Sequence, residues 1–340
     1  MTVKTEPGIL NRPPLPYPAQ LAIDILQLRE SSLPRPRQQS HASLLTLQED
    51  FGLHPNNFPP IYGTNVVSLP SLFVSHGAPS LLLEDVSSRR FLSSLGNLLG
   101  KPRAIVLLSA HHDSRGQPIK VTSNPSPPTI YDFGGFDSSL YEMQYSAPGY
   151  PSLARSLVAT LASSGIEAIE DPIRGFDHGA WMPLKLMYPQ ADVPVVQVSL
   201  DSTRSPRWHY ALGHVLRRYR EDGCLLIGSG SATHNLNEFF GRSPGVNDTP
   251  PKWVVEFTDW LAEQVLSHDQ LNLLNAVEKG PHGKLNHPTI EHILPLFFAA
   301  GASEMDSFRA RLHNSYTYGV LAMDAYAFGA LPYPENLSVH

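Results

Sequence analysis

Short runs of Val, Ile and Leu alternate with stretches of helical period along most of this chain, and that alternation restricts its fold more than any other feature. Candidate strands fall at 71–75, 103–109, 193–200 and 224–228. Helical stretches fall at 86–99, at 150–164 before Gly165, just after Gly179, and at 205–220, 251–267 and 287–300. Tyr316–Ala327 closes the pattern as an element whose type the sequence leaves open. The pattern predicts an α/β fold: a single domain with a central mostly parallel or mixed sheet flanked by helices. In such sheets ligands gather beyond the carboxyl ends of the strands.

The proline content divides the chain. Residues 1–65 carry Pro7, Pro13, Pro14, Pro16, Pro18, Pro34, Pro36, Pro55, Pro59 and Pro60, which forbid long regular elements, so this span reads as a partly irregular N-terminal extension with one short helix near 19–29. The globular domain is expected over 66–335. Within it, segment 112–149 is too rich in Pro and Gly for a helix and reads as loops or a hairpin, the kind of long loop that usually serves a site.

With 340 residues, 41% of them apolar, the chain can bury a large core. A formal charge of −6 without a basic stripe argues against nucleic-acid binding. The single cysteine, Cys224, excludes an internal disulfide and reads as an inert strand thiol. No apolar stretch approaches the roughly 20 residues that cross a bilayer, and the expected setting is cytoplasmic, with no membrane partner.

Four apolar or turn-like runs end on a histidine: Leu72-Phe-Val-Ser-His76, Ile105-Val-Leu-Leu-Ser-Ala-His111-His112, Gly175-Phe-Asp-His178, and Leu225-Leu-Ile-Gly-Ser-Gly-Ser-Ala-Thr-His234. His76, His111 and His234 each follow a strand, so a sheet rim can hold three imidazoles around one metal ion and leave positions open for substrate. Ser75, Ser109, Ser229 and Ser231 are candidates to orient those rings. His178 follows a turn and precedes a helix; it reads either as a proton carrier, because imidazole exchanges protons near neutral pH, or as a helix-start residue capped by Asp177. His287 and Glu291 are four apart and can share a helical face, with His292 beside them.

Together, Ser75-His76-Gly-Ala-Pro, Ser109-Ala-His111, Ile130-Tyr-Asp-Phe-Gly-Gly-Phe, Asp177-His178-Gly-Ala-Trp-Met-Pro-Leu, Gly228-Ser-Gly-Ser-Ala-Thr-His234-Asn-Leu and the stretch from His287-Pro through Glu291-His292 to Pro295-Leu resemble the LigB superfamily of extradiol aromatic ring-opening dioxygenases, in its DOPA 4,5-dioxygenase branch. The similarity runs from about residue 70 to Gly329. It implies a non-haem Fe(II) enzyme that cleaves a catechol-type, DOPA-like ring with O₂, and Zn(II) can occupy such sites in isolated proteins. His76, His111 and His234 then match the metal ligands, His178 matches the acid–base residue, and His292, His287 and Tyr131 match positions near the substrate. Two departures stand out: His112 occupies a position usually taken by an aromatic residue, and Tyr131 one often taken by His. A DOPA carboxylate would need a cationic partner, for which Arg89, Arg174 and Arg204 are candidates. The rival readings are a zinc-dependent hydrolase on the same three histidines and a metal-binding domain without activity.

Overall fold

The computed structural model describes residues 68–242 and 244–332, so the expected N-terminal extension and its short helix lie outside the described residues. Among the described residues there are ten strands: β1 (Ser71–Ser75), β2 (Ala104–Asp113), β3 (Ile119–Thr122), β4 (Ala168–Asp171), β5 (Val195–Leu200), β6 (Cys224–Gly230), β7 (Arg309–His313), β8 (Tyr316–Thr317), β9 (Leu321–Ala322) and β10 (Ala325–Phe328). Seven helices of seven residues or more accompany them: α1 (Ser87–Leu99), α2 (Pro151–Ser163), α3 (His178–Met187), α4 (Pro206–Leu216), α5 (Leu236–Arg242), α6 (Lys252–Leu266) and α7 (Leu294–Gly301).

Eight strands form one mixed sheet in the order β4-β3-β5-β2-β6-β1-β10-β7. Its centre, β5-β2-β6-β1, is parallel throughout. Antiparallel β10 and β7 extend one side, and β3, antiparallel to β5 but parallel to β4, extends the other. The predicted α/β architecture with a mixed, mostly parallel centre is therefore the observed one.

The continuous apolar runs follow from burial on both faces. Side chains alternate along a strand, and Val106, Leu108, Val196, Val198 and Leu226 pack with α2, α4, α6 and α7 on one face. Ile105, Leu107, Val195, Leu225 and Ile227 pack with α1 and α3 on the other. All ten of these side chains are fully buried. A charge at any of them would lack a partner, which is why the runs contain none.

Three elements differ from expectation. β2 does not stop at residue 109 but continues through His111 and His112 to Asp113, and its pairing with β5 shifts register between Ser109 and Asp113. The helix expected over 287–300 begins only at Leu294. Pro295 lacks an N–H and its ring would strike the carbonyl four residues back, so it fits the first turn and excludes a helix running through Glu291. His287 and Glu291 accordingly share no helical face. The undecided closing segment resolves into the β8–β9 hairpin and β10, while the loop-rich 112–149 segment contains the short strand β3. Among the described residues, no helix is long and apolar enough to cross a membrane.

Candidate metal centre and substrate cavity

Beyond the carboxyl ends of β1, β2 and β6 lies a cavity of about 290 Å³, lined by His76, His111, His178, His234 and His292. His76 leaves the end of β1, its backbone N–H donating to the carbonyl of Gly230 at 3.0 Å. His111 sits near the end of β2, where strand alternation turns it to the cavity and sends His112 into the interior. This settles which of the pair faces the site. His112 is 2% exposed, hydrogen-bonds through neither ring nitrogen, and burial lowers its pKa to about 3.

Two close approaches seat the remaining rings. Gly179 opens α3 directly over β2; a Cβ there would fall 2.5 Å from Ser109 Oγ and 2.9 Å from His111 Cδ2. The absent side chain lets the start of α3 bring His178 to a ring-centroid distance of 3.9 Å from His111. Gly230, at the end of β6, faces the carbonyl oxygen of His292, which a Cβ would strike. Ser231 N–H donates to that carbonyl at 2.8 Å, so His292 is pinned to the sheet rim from the segment before α7.

The imidazole nitrogens meet at short range. His111 Nε2 stands 3.1 Å from His76 Nε2 and 3.3 Å from His292 Nε2. His234 stacks on His292 at a centroid distance of 3.4 Å, and together with Glu291 these two form an adjoining group. The three expected ligands, His76, His111 and His234, thus line one cavity. His292, expected near the substrate, belongs inside the same nitrogen cluster, and the ligand atoms of His76, His111 and His292 all lie within 4.8 Å of one another.

Hydrogen bonding fixes where the lone pairs point. Ser229 donates its hydroxyl proton to the carbonyl of Gly179, so its oxygen accepts from His76 Nδ1 at 3.1 Å and leaves His76 Nε2 bare in the neutral ring. His292 Nδ1 lies 3.1 Å from the Glu291 carboxylate and donates to it, which bares His292 Nε2 in the same way. Burial, reinforced by the neighbouring imidazoles, holds His76 and His292 well below the ordinary imidazole pKa. Burial likewise lowers His111 to about 4 and His234 to about 3. These rings are neutral at pH 7. Bare lone pairs on His76 and His292 flank the Nε2 of His111, and a set of imidazoles oriented by outer partners is what a divalent transition metal requires. The residues present fit such an ion.

Of the four serines expected to orient the rings, only Ser229 touches one. Ser109 donates to Asp177 at 2.6 Å and accepts from the His111 backbone; Ser75 and Ser231 bond to backbone groups. Asp177 stands at the N-cap of α3 but caps nothing with its side chain. It is fully buried and accepts from Ser109, from Gln197 Nε2 at 2.8 Å and from Arg174 at 3.0 Å. Burial alone would raise its pKa, yet His111 and these hydrogen bonds hold it below the ordinary carboxylate value. It braces the floor beneath His111.

Asp132 was missed in the sequence. Its Oδ1 accepts from the His178 backbone N–H at 2.8 Å and lies 3.0 Å from His178 Nδ1, while Oδ2 is 3.6 Å from His111 Nδ1. Burial opposes its charge, but the His178 contacts and the His111 ring outweigh that and lower its pKa to about 2. The only signal was its place between two aromatics in the Tyr131-Asp-Phe-Gly-Gly-Phe loop. Phe133 and Phe136 from that loop, with Leu236, Phe239 and Phe240 on α5, form the apolar wall.

Two residues expected near a substrate stand apart from the cavity. His287 is buried, its Nε2 donating to the Ala232 carbonyl at 2.9 Å and its ring edge-on to Phe257. Tyr131 donates to the Met143 carbonyl at 2.8 Å and packs behind Phe133 against Trp181 and Tyr141. Tyr131 supports Phe133 from behind, its hydroxyl held by a backbone carbonyl, whereas His287 has one ring nitrogen held by a carbonyl and the other without a hydrogen-bond partner.

A mixed sheet, parallel at its centre, with an imidazole cluster at its carboxyl rim fits a metal-dependent α/β enzyme. The family model described as "Catalytic LigB subunit of aromatic ring-opening dioxygenase" matches residues 73–329. Over 263 residues the chain is 40% identical to the 4,5-DOPA dioxygenase extradiol of Beta vulgaris, covering 76% of this chain and 96% of that protein. It is also 40% identical over 242 residues to the Escherichia coli K12 protein of the same name, covering 69% and 85%, and 31% identical over 284 residues to Dioxygenase tasH of Hapsidospora irregularis, covering 76% and 84%. The crystal structure of an uncharacterized Escherichia coli K12 protein superposes with a TM-score of 0.63 at 33% identity, covering 77% of this chain and all of that one. The chain belongs to the LigB family of aromatic ring-opening dioxygenases and is an extradiol ring-cleaving enzyme, acting on a small aromatic molecule and O₂.

Proposed function

We propose that this protein is a non-haem Fe(II) dioxygenase that cleaves a catechol beside its two hydroxyls. The observation that carries this reading is the convergence of the His76, His111 and His292 Nε2 atoms, two of them bared by fixed donors on the opposite nitrogen. His76, His111 and His234 would hold the metal, with His292 completing the cluster. All four are neutral, so a divalent ion keeps its full charge for an anionic catecholate. Bound Fe(II) supplies redox chemistry between the aromatic substrate and O₂, while zinc fills the same donor set without that capacity.

The remaining roles fall to the chain's own side chains. His178 lines the cavity, and Asp132 beside its Nδ1 leaves Nε2 as the nitrogen free to take a proton from a substrate hydroxyl and later return it. Phe133, Phe136 and Phe239 offer ring faces and edges on which an aromatic substrate can stack while water is displaced. The catalytic unit spans about residues 66–335, behind an N-terminal extension. A cytoplasmic setting suits Cys224, a buried thiol whose pKa burial raises to about 11.

Anaerobic loading with Fe(II), followed by air and a panel of catechols, tests the reading. One O₂ should disappear per catechol, both oxygen atoms entering a yellow ring-opened semialdehyde acid. Ester hydrolysis by the zinc form with no oxygen uptake would favour the hydrolase instead.

A further inference from the structure

We propose that Tyr318 is a positioning residue for the substrate, a strut that holds the Phe239 ring in the cavity wall. The inference rests on the reading above, in which an aromatic substrate stacks on that wall, and adds to it a residue that does not itself line the cavity. Phe239 belongs to α5, a helix of seven residues, too short to hold its own place. Its neighbours Leu236 and Phe240 also line the cavity but are 47% and 65% exposed, whereas the Phe239 ring packs edge-on against Tyr318, with centroids 5.0 Å apart and planes at 74°.

Tyr318 is itself held from several directions. It opens the loop between β8 and β9 with φ at 53°, a left-handed conformation that Gly319, next at 65°, takes freely and a bulky side chain takes rarely. Such a residue persists where its surroundings over-determine it. Its N–H donates to the Val246 carbonyl at 2.9 Å. Its hydroxyl donates to the Glu84 carboxylate, so the phenol oxygen accepts from Ser80 Oγ at 2.7 Å. Burial, reinforced by Glu84, raises the hydroxyl pKa to about 12, and the proton stays on it at pH 7. One side chain thus joins three pieces of the wall: Ala78 and Pro79, which lead into Ser80; Phe239; and Leu321, just past the loop. A catechol stacked on Phe239 meets the same ring before and during ring opening. Displacing that ring weakens both states alike, which raises KM and leaves kcat in place.

The test uses the full-length Fe(II)-loaded protein and a catechol that the wild type cleaves, reading oxygen uptake, anaerobic calorimetric affinity, metal content and unfolding midpoint. Tyr318→Phe keeps the ring and removes its anchor; Glu84→Ala cuts the same link from the other side. Each should raise KM and Kd by about fivefold, the scale of one lost hydrogen bond, with kcat and metal content unchanged. Tyr316→Phe is the matched control: it removes from the same hairpin a hydroxyl whose 2.9 Å bond goes to Thr258, and it should leave KM unchanged. In a Phe239→Leu background, which raises KM by itself, Tyr318→Phe should add less than about twofold. KM unmoved in both anchor variants, an equal rise in Tyr316→Phe, or full additivity with Phe239→Leu overturns the strut while leaving ring cleavage standing. A wild type that neither binds nor cleaves any catechol overturns the catechol reading and the strut with it.

Discussion

One carboxylate at Asp132 touches two imidazoles of the cavity, holding the backbone N–H of His178 and lying beside its Nδ1 with one oxygen while its other faces His111. Asp132→Asn keeps an oxygen for the His178 N–H but removes the charge that fixes the ring. Loss of such outer partners usually costs 10- to 100-fold, and here it should fall on kcat, with KM for the catechol and the metal content little changed. Steady-state oxygen uptake and metal analysis separate the two; a metal loss equal to the activity loss would make Asp132 a support of the metal cluster instead. The sequence showed the histidines because a histidine ending an apolar run is conspicuous. It hid Asp132 because an aspartate in a glycine-rich loop has many ordinary uses as a turn residue. The motif also offered His287 as a residue near the substrate; in the structure its Nε2 donates to the Ala232 carbonyl.

Elements reach the site through places where a side chain is missing. β6 and the segment leading into α7 meet at Gly230, where His292 presents its carbonyl, and α7 then crosses the sheet at Gly228 against Pro295. Gly230→Ala forces either β6 or His292 to move, an overpacking change that typically costs about 1–3 kcal/mol. The His292 ring would shift with its backbone, so metal affinity should fall along with the unfolding midpoint. Gly241→Ala, in α5 where an added Cβ would meet no atom within 4 Å, is the matched comparison and should leave both unchanged or slightly raise stability. Chemical denaturation and metal titration of the two variants check this; equal effects would mean the approach at Gly230 does not position His292. Most strands and helices were legible because burial on two faces writes continuous apolar runs. Their ends were not, since β2 continues through two histidines and α7 is delayed by Pro295, and neither event leaves a mark in hydrophobic periodicity.

Across the whole molecule, imidazoles buried away from the cavity make the fold sensitive to acid. The burial that lowers His209, His214 and His313 to about 4 each outweighs every other influence on them. His209 is locked in place by the Asp201 N–H at 3.2 Å and the Ser205 carbonyl at 3.0 Å, and the His313 ring stacks on Phe91 at 4.6 Å. Nothing in the sequence marks these three as buried, since burial by distant elements cannot be read from neighbours in the chain. In the unfolded chain the same groups titrate near 6.5, at roughly 1.4 kcal/mol per unit of pKa difference. Above pH 6.5 neither state binds the protons, and these groups give stability no slope. Between 6.5 and 4 the unfolded chain takes up protons that the folded one refuses, so stability falls as pH falls, levelling once the folded pKa is passed. Carboxylates in the unfolded chain titrate mostly below about 4.5, so the interval from 6.5 to 5 isolates the histidines. The urea midpoint of the metal-free protein should be level from pH 8 to 7, drop steadily from 6.5 to 5, and drop less steeply in a His313→Phe variant. A midpoint unchanged down to pH 5 would mean that these imidazoles reach solvent in the native protein.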